Sequence, residues 1–415
     1  MSVSTIESNE KVLEFSPHSR QRLQQAVIAL FLAVSVLVVL GNIMVFSTTS
    51  VLSIRVADQI GADSAAFTVA LRHLMFTGIG VFGGFFLSKI PGSWYQRFAY
   101  PIFFLGLALQ TLVIFIGKDV AGNKNWLVIG SIQIQPSEFL KLATIVWLAA
   151  ILGAMSYEQL NTPKYLTLPV GGLAIAAGIV VAPGDMGTGL IFALIGAGML
   201  WLGGMNTLYY ALLAAFVGLA GGAVLTLRSS RISRVSEYLN NLTSLPDTVN
   251  ATQADHALFA FGTGGLTGTG LGASKEKWRD LREAHTDFIF AIIGEELGLF
   301  GALAVVLLFL TIAWSLYQIV KYHPDRFGRL VAAGGAIWIC GQALLNMSVV
   351  TGLLPVFGVP LPFISQGGSA IMAALFMVGV IVSVTHMAPG VRNKNRASVG
   401  LAYRAKALIR KKRNG

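Results

Sequence analysis

Apolar runs of membrane length follow one another along almost the whole chain, separated by short clusters of polar residues. About 20 apolar residues cross the hydrocarbon of a bilayer as a helix. By that measure ten segments qualify, near residues 25–46, 69–88, 98–116, 138–155, 166–183, 187–204, 207–227, 297–318, 329–350 and 369–387. The pattern predicts an all-α integral membrane protein, a bundle of ten transmembrane helices over residues 25–388. A tail at 1–24 precedes it, a basic tail at 389–415 follows it, and a long extracytoplasmic loop at 228–286 joins helices seven and eight. Within the spans, Gly80 with Gly84 and Gly218 with Gly222 have the small-xxx-small spacing that lets helix backbones approach closely.

Composition agrees with the pattern. Only 12% of the 415 residues are charged and 54% are hydrophobic, whereas soluble domains carry about 25% charged residues. The net charge of +11 resides largely in tails and short loops, which is the signature of membrane topology and not of nucleic-acid binding. Nine Lys or Arg residues, at 392, 394, 396, 404, 406, 410, 411, 412 and 413, assign the C-terminus to the cytoplasm, and an even number of spans brings the N-terminus to the same side. The first 24 residues contain Glu7, Glu10 and Glu14 and no small-residue cleavage site, so they are expected to form a retained cytoplasmic tail. Cys340 is the only cysteine, which removes an intramolecular disulfide and a cysteine metal cluster from consideration.

In this orientation the stretches 47–68, 117–137, 183–187, 228–286 and 351–368 face outward, and the chemistry-bearing residues fall among them or just inside the adjoining spans. The run from Ala284 to Gly298 holds His285, Asp287, Glu295 and Glu296 where a loop enters a span. Ionisable groups near hydrocarbon are costly and by default mark function. Asp287 suits either a helix N-cap or a general base in a cleft, and residues 288–296 are expected to line protein and not lipid. In Gln135-Pro136-Ser137-Glu138, Pro136 and Glu138 suit a first helical turn, and Lys141 shares a face with Glu138. Arg72 and His73 open the second span, with Arg72 able to snorkel to headgroups or to meet a phosphate. Asp185 suits a turn and a cap. Pro355, Pro360 and Pro362 lead into a non-helical segment from Phe363 to Ser369. The glycines at 262, 264, 265, 268, 270 and 272 lack the Gly-Lys-Ser/Thr ending of a phosphate loop. No zinc-ligand spacing and no serine-esterase elbow occurs.

Four of these motifs, Ile134 to Glu138, Gly184 to Thr188, His285 to Gly298 and Leu361 to Ser369, stand in the order found in the SEDS family of shape, elongation, division and sporulation proteins. The chain resembles that family from about residue 25 to 388, and Ile292-Ile293-Gly294-Glu295-Glu296 favours its division branch over its elongation branch. It departs from the family pattern at Asn125, where arginine is usual and Lys124 lies alongside, and at Gly184, Arg282 and Gln366. The resemblance implies a peptidoglycan glycosyltransferase that polymerises lipid II by inversion into β-1,4-linked strands, with Asp287 essential. Substrate is then expected at Arg72, Gln135, Glu138, Lys141, Asp185, His285, Ser365, Gly367 and Gly368, with Arg72 and Lys141 toward the pyrophosphate and Mg or Mn as a conceivable cofactor. Implied partners are a class B penicillin-binding transpeptidase and other division proteins, at the septum of the cytoplasmic membrane. The rival function is a lipid II flippase or other transporter.

Overall fold

The computed structural model describes residues 16–60, 68–120, 123–130, 132–226, 236, 238, 251–278, 283–388 and 391. The helices are α1 (Pro17–Ile60), α2 (Thr68–Lys89), α3 (Gly92–Arg97), α4 (Ala99–Ile116), α5 (Pro136–Ala154), α6 (Tyr157–Leu160), α7 (Pro163–Val181), α8 (Met186–Leu202), α9 (Thr207–Thr226), α10 (Gln253–Gly264), α11 (Ile289–Tyr322), α12 (Arg326–Val350) and α13 (Gly368–Thr385). Every one of the ten predicted apolar segments lies largely on a helix. Eight of these are long and apolar enough to cross a membrane: α1, α2, α4, α5, α7, α11, α12 and α13. Helix α8, at 17 residues, falls short of that length, and α9 is not among the eight.

Several boundaries differ from expectation. Helix α1 starts at Pro17, inside the predicted tail, while 1–15 and the basic residues from 392 onward lie outside the described residues. The bundle is helical, but residues 118–134 add a small antiparallel sheet in the order β1 (Lys118–Val120), β2 (Asn123–Ile129), β3 (Ile132–Ile134). Leu127 pairs with Ile134 and Ile129 with Ile132, so the sheet delivers the chain directly into α5. The predicted loop 228–286 contains α10, set by a capping box between Thr252 and Asp255. Gly80 and Gly84 do pack closely: a Cβ on Gly84 would lie 2.6 Å from the Leu375 carbonyl oxygen. Gly218 and Gly222 meet nothing within 4 Å, so they form no packing seam among the described residues.

Helix α11 is two helices joined at Gly298, whose φ of 68° and ψ of −166° are not helical. Breaking a helix orphans backbone groups, which must find partners when buried. The glycine-rich stretch supplies them. The N–H groups of Thr269 and Gly270 donate to the carbonyls of Glu295 and Glu296 at 2.9 and 3.0 Å, and Leu299 N–H donates to Gly265 at 2.9 Å. Only glycine fits this crossing, because a Cβ on Gly298 would stand 2.3 Å from the Gly268 nitrogen. The two buried glutamates complete the clasp. Glu295 accepts the Lys275 N–H at 2.7 Å, and Glu296 accepts from Lys277 Nζ at 2.7 Å and from Ser47 Oγ at 2.8 Å. Residues 288–296 thus face protein, as expected, and Glu295 and Glu296 anchor the loop.

Candidate active site

The N-terminal ends of α5, α8, α11 and α13 meet at one end of the bundle, and the predicted polar motifs lie there. Pro136 occupies the first position of α5, where a missing N–H costs nothing, and Glu138 sits in the first turn at the positive end of the helix dipole. Gln135 precedes them in extended conformation. Its N–H donates to Ser369 Oγ at 2.9 Å and its Nε2 to Asp185 Oδ2 at 3.1 Å. Asp185 caps α8 by accepting the Thr188 N–H at 2.9 Å, so the expected capping role is present alongside the link to Gln135. Burial raises the Asp185 carboxyl above the usual carboxylate range, against the lowering effect of its Thr188 hydrogen bonds.

Lys141 and Glu138 form a buried ion pair at 2.9 Å, with side-chain exposures of 1% and 4%. Lys141 Nζ also donates to Gln342 Oε1 at 3.1 Å and lies 4.8 Å from the Trp338 ring centre. This ammonium is turned into the bundle, toward Glu138, Gln342 and Trp338. Arg72 is exposed on the second turn of α2, on the surface, while its neighbour His73 is buried with no hydrogen-bond partner for either ring nitrogen. Lys124, next to Asn125, donates to the carbonyls of Ile114 and Phe115 at 2.9 and 3.2 Å. It covers the C-terminus of α4, a favoured place for a cation.

Residues 283–288 form a turn before α11, with Glu283 at φ 60°. Three successive carbonyls of this turn are each held by a different donor. Gln366 N–H donates to His285 at 2.9 Å, Ser365 Oγ to Thr286 at 2.6 Å, and Asn346 Nδ2 to Asp287 at 2.7 Å. Asp287 is half-buried, and the N-cap of α11 is Phe288, which makes no side-chain cap bond; Asp287 is therefore not the cap. A Cβ placed on Gly358 would lie 3.5 Å from Asp287 Oδ2, so the chain at Gly358, at φ 72°, runs beside the carboxylate. His285 is half-buried, and desolvation lowers its pKa below 6.5 against the opposing charge of Glu283.

Of the loop residues proposed for substrate, Ser365 also accepts the Leu361 N–H at 2.8 Å and stitches two loops together. Gly367 is the N-cap of α13, and Gly368 admits the Phe76 ring, which would stand 2.5 Å from a Cβ there. A small cavity opens among Glu138, Gln342, Pro360, Phe363, Ser365 and Ala370. The structure therefore brings Gln135, Glu138, Lys141, Asp185, His285, Asp287, Ser365, Gly367 and Gly368 to one end, joined by hydrogen bonds or lining the same loops. Arg72 is on the surface, and no hydrogen bond among the described residues ties it into that network. Among the described residues no three His, Cys, Asp or Glu side chains assemble to hold a metal ion. The sequence reading omits Trp338, Gln342 and Asn346. Their readable signal is a polar pair four residues apart inside an apolar span.

This architecture has close counterparts. A chain from the structure described as "Structural coordination of polymerization and crosslinking by a peptidoglycan synthase complex" superposes with a TM-score of 0.69 at 23% identity, covering 86% of this chain and 97% of that one. The rod shape determining protein RodA of Thermus thermophilus superposes at 0.63 with 22% identity, covering 87% and 96%. In sequence, stage V sporulation protein E of Bacillus subtilis is 36% identical over 356 residues, 84% of this chain and 94% of that protein. The probable peptidoglycan glycosyltransferase FtsW of Mycobacterium tuberculosis is 34% identical over 359 residues, 86% of this chain and 67% of that protein. The family profile of cell cycle proteins FtsW, RodA and SpoVE matches residues 28–389, and the chain belongs to that family.

Proposed function

We propose that this protein is a peptidoglycan glycosyltransferase that polymerises lipid II on the outer face of the cytoplasmic membrane during septal wall synthesis. The carrying observation is the convergence of polar motifs around the clamped turn that bears Asp287. Relatives that are 34% identical over most of this chain bear the name peptidoglycan glycosyltransferase. The site end is the outer face, with both termini and the loops carrying Lys164 and Arg326 on the cytoplasmic side and ten spans in all.

In the reaction, the 4-hydroxyl of an acceptor N-acetylglucosamine attacks the anomeric carbon of a sugar held through α-pyrophosphate to a polyprenol. The C–O bond to pyrophosphate breaks as the new β-1,4 bond forms, so the anomeric centre inverts. Asp287 takes the hydroxyl proton. The leaving pyrophosphate oxygen keeps the electron pair of the broken C–O bond and so gains a negative charge, which needs neutralisation more than protonation, and one carboxylate base suffices. We assign that neutralisation to Arg72, and to Lys141 the task of holding Glu138 at the foot of the site. A divalent cation carried in by the pyrophosphate would share the same charge, and adding EDTA to the polymerisation assay reads its contribution.

The partner is a class B penicillin-binding transpeptidase, which crosslinks the strand as it emerges, together with other division proteins. The test is polymerisation of lipid II by the purified protein with and without its cognate transpeptidase. A positioned base contributes about 10²- to 10⁴-fold, so Asp287→Asn is expected to lose at least about 100-fold in rate. Polymer formation by Asp287→Asn at the native rate would remove Asp287 from the mechanism. Headgroup translocation in proteoliposomes with no polymer from the native protein would establish transport instead.

A further inference from the structure

Two amides of α12, Gln342 and Asn346, lie four residues apart and therefore on one helix face. Each is buried, with 2% of its surface exposed. Each bridges a site residue to the same loop. Gln342 accepts from Lys141 Nζ and donates through Nε2 to the Pro360 carbonyl at 2.8 Å. Asn346 spends its two N–H bonds on the carbonyls of Asp287, at 2.7 Å, and Val359, at 2.8 Å. The orientation of the amide follows from these neighbours, since its oxygen would repel both carbonyls.

That arrangement has an expense that packing alone does not require. The Asn346 oxygen is buried with no hydrogen-bond partner, a penalty of the kind an apolar side chain of similar size would avoid. What the amide achieves is a fixed relation between the backbone of Asp287 and the backbone at 358–360, the stretch that runs beside its carboxylate. Ser365 and Gln366 hold the two preceding carbonyls, but each reaches only one. Of these three donors, Asn346 is the one that holds the carbonyl of Asp287 itself, and it joins that carbonyl to the backbone at Val359.

We infer that Asn346 is a positioning residue for the reaction, setting the Asp287 carboxylate against the Gly358 wall, with Gln342 holding the Glu138–Lys141 pair to the same wall one turn further along. This inference rests on Asp287 being the base. Asn346 touches no substrate in this account, so its loss acts on the chemical step and spares substrate binding. Misplacing a reacting group by about 1 Å costs about 10²-fold.

The experiment is steady-state polymerisation of lipid II by the full-length protein with its transpeptidase, comparing Asn346→Ala, Asn346→Ser and Asp287→Asn, with thermal unfolding of each. Asn346→Ala is expected to lower kcat by about 10- to 100-fold with KM within about twofold of native. Asn346→Ser, which keeps one donor, is expected to lie between alanine and native in kcat while matching alanine in thermal midpoint. If the alanine variant yields no folded protein, the serine variant carries the same test through its kcat against KM split. A native kcat in folded Asn346→Ala, or in folded Asn346→Ser where alanine fails, overturns the inference. So does a loss that falls wholly on KM. Native activity in Asp287→Asn would instead overturn the base assignment itself, so the two failures are distinguishable.

Discussion

The Glu138–Lys141 pair makes a quantitative prediction. Both side chains are almost fully buried and 2.9 Å apart, so removing one partner strands a charge that water cannot reach. Breaking a buried pair in this way typically costs about 3–5 kcal/mol. Lys141→Met is expected near the lower end, about 3 kcal/mol, because Glu138 keeps the favourable field of the α5 N-terminus. Glu138→Gln is expected to cost less than that, since Lys141 retains Gln342 Oε1 and the face of Trp338. The double variant Glu138→Gln/Lys141→Met carries no stranded charge and is expected within about 1 kcal/mol of native. The coupling between the sites is then about 2 kcal/mol or more, well above the non-additivity of distant residues. Denaturant unfolding of the purified protein in one detergent, with all four species measured in parallel, reads the cycle. A double variant no more stable than Lys141→Met alone would refute the reasoning, since it would mean that Glu138 is not destabilised by losing its partner. Polymerisation by the same four proteins separates the roles of the lysine: recovery of activity in the double variant matches a lysine that only holds Glu138.

The helix break at Gly298 predicts that Gly268→Ala is severe, because the new Cβ would stand 2.2 Å from the Glu296 oxygen at a φ of 83°. A loss of at least about 2 kcal/mol is expected, against about 1 kcal/mol for Gly270→Ala, which has φ 102° and open space around it; thermal unfolding of the two variants checks the order. His285 predicts a pH dependence. Its folded pKa is lowered by burial while its unfolded value is 6.5, so the folded state binds fewer protons. Its contribution to stability is complete above pH 6.5 and is lost as pH falls through the lowered value. Thermal midpoints measured from pH 7.5 downward should therefore fall more steeply in the native protein than in His285→Gln.

The membrane class and the helical segments are legible because length and hydropathy act locally. Ten apolar runs announce ten helices, and the cap at Asp185 and the proline at Pro136 are readable from residue type. The break at Gly298 is not, since it depends on how far the glycine-rich stretch approaches a helix 30 residues later in the chain. The role of Lys141 is half legible: its spacing from Glu138 gives the pair, but only the fold shows Trp338 and Gln342 enclosing it. Asn346 is invisible as a site residue because an amide inside an apolar span carries no charge to draw attention, and its partners are main-chain carbonyls. Asp287 as an N-cap is a fair local reading that the turn at 283–288 overrides, since the helix begins one residue later without a side-chain cap.

The crossing at Gly298 also divides the molecule for engineering. Residues 289–297 are bonded to the loop region before them by Thr269, Gly270, Lys275 and Lys277, so they belong to that loop cap although they run on into a hydrophobic rod. A hybrid that swaps the rod downstream of residue 299 for that of a relative keeps every bond of this cap. One spliced between 277 and 289 cuts the cap in two, parting the glycine-rich stretch from the helix it clasps.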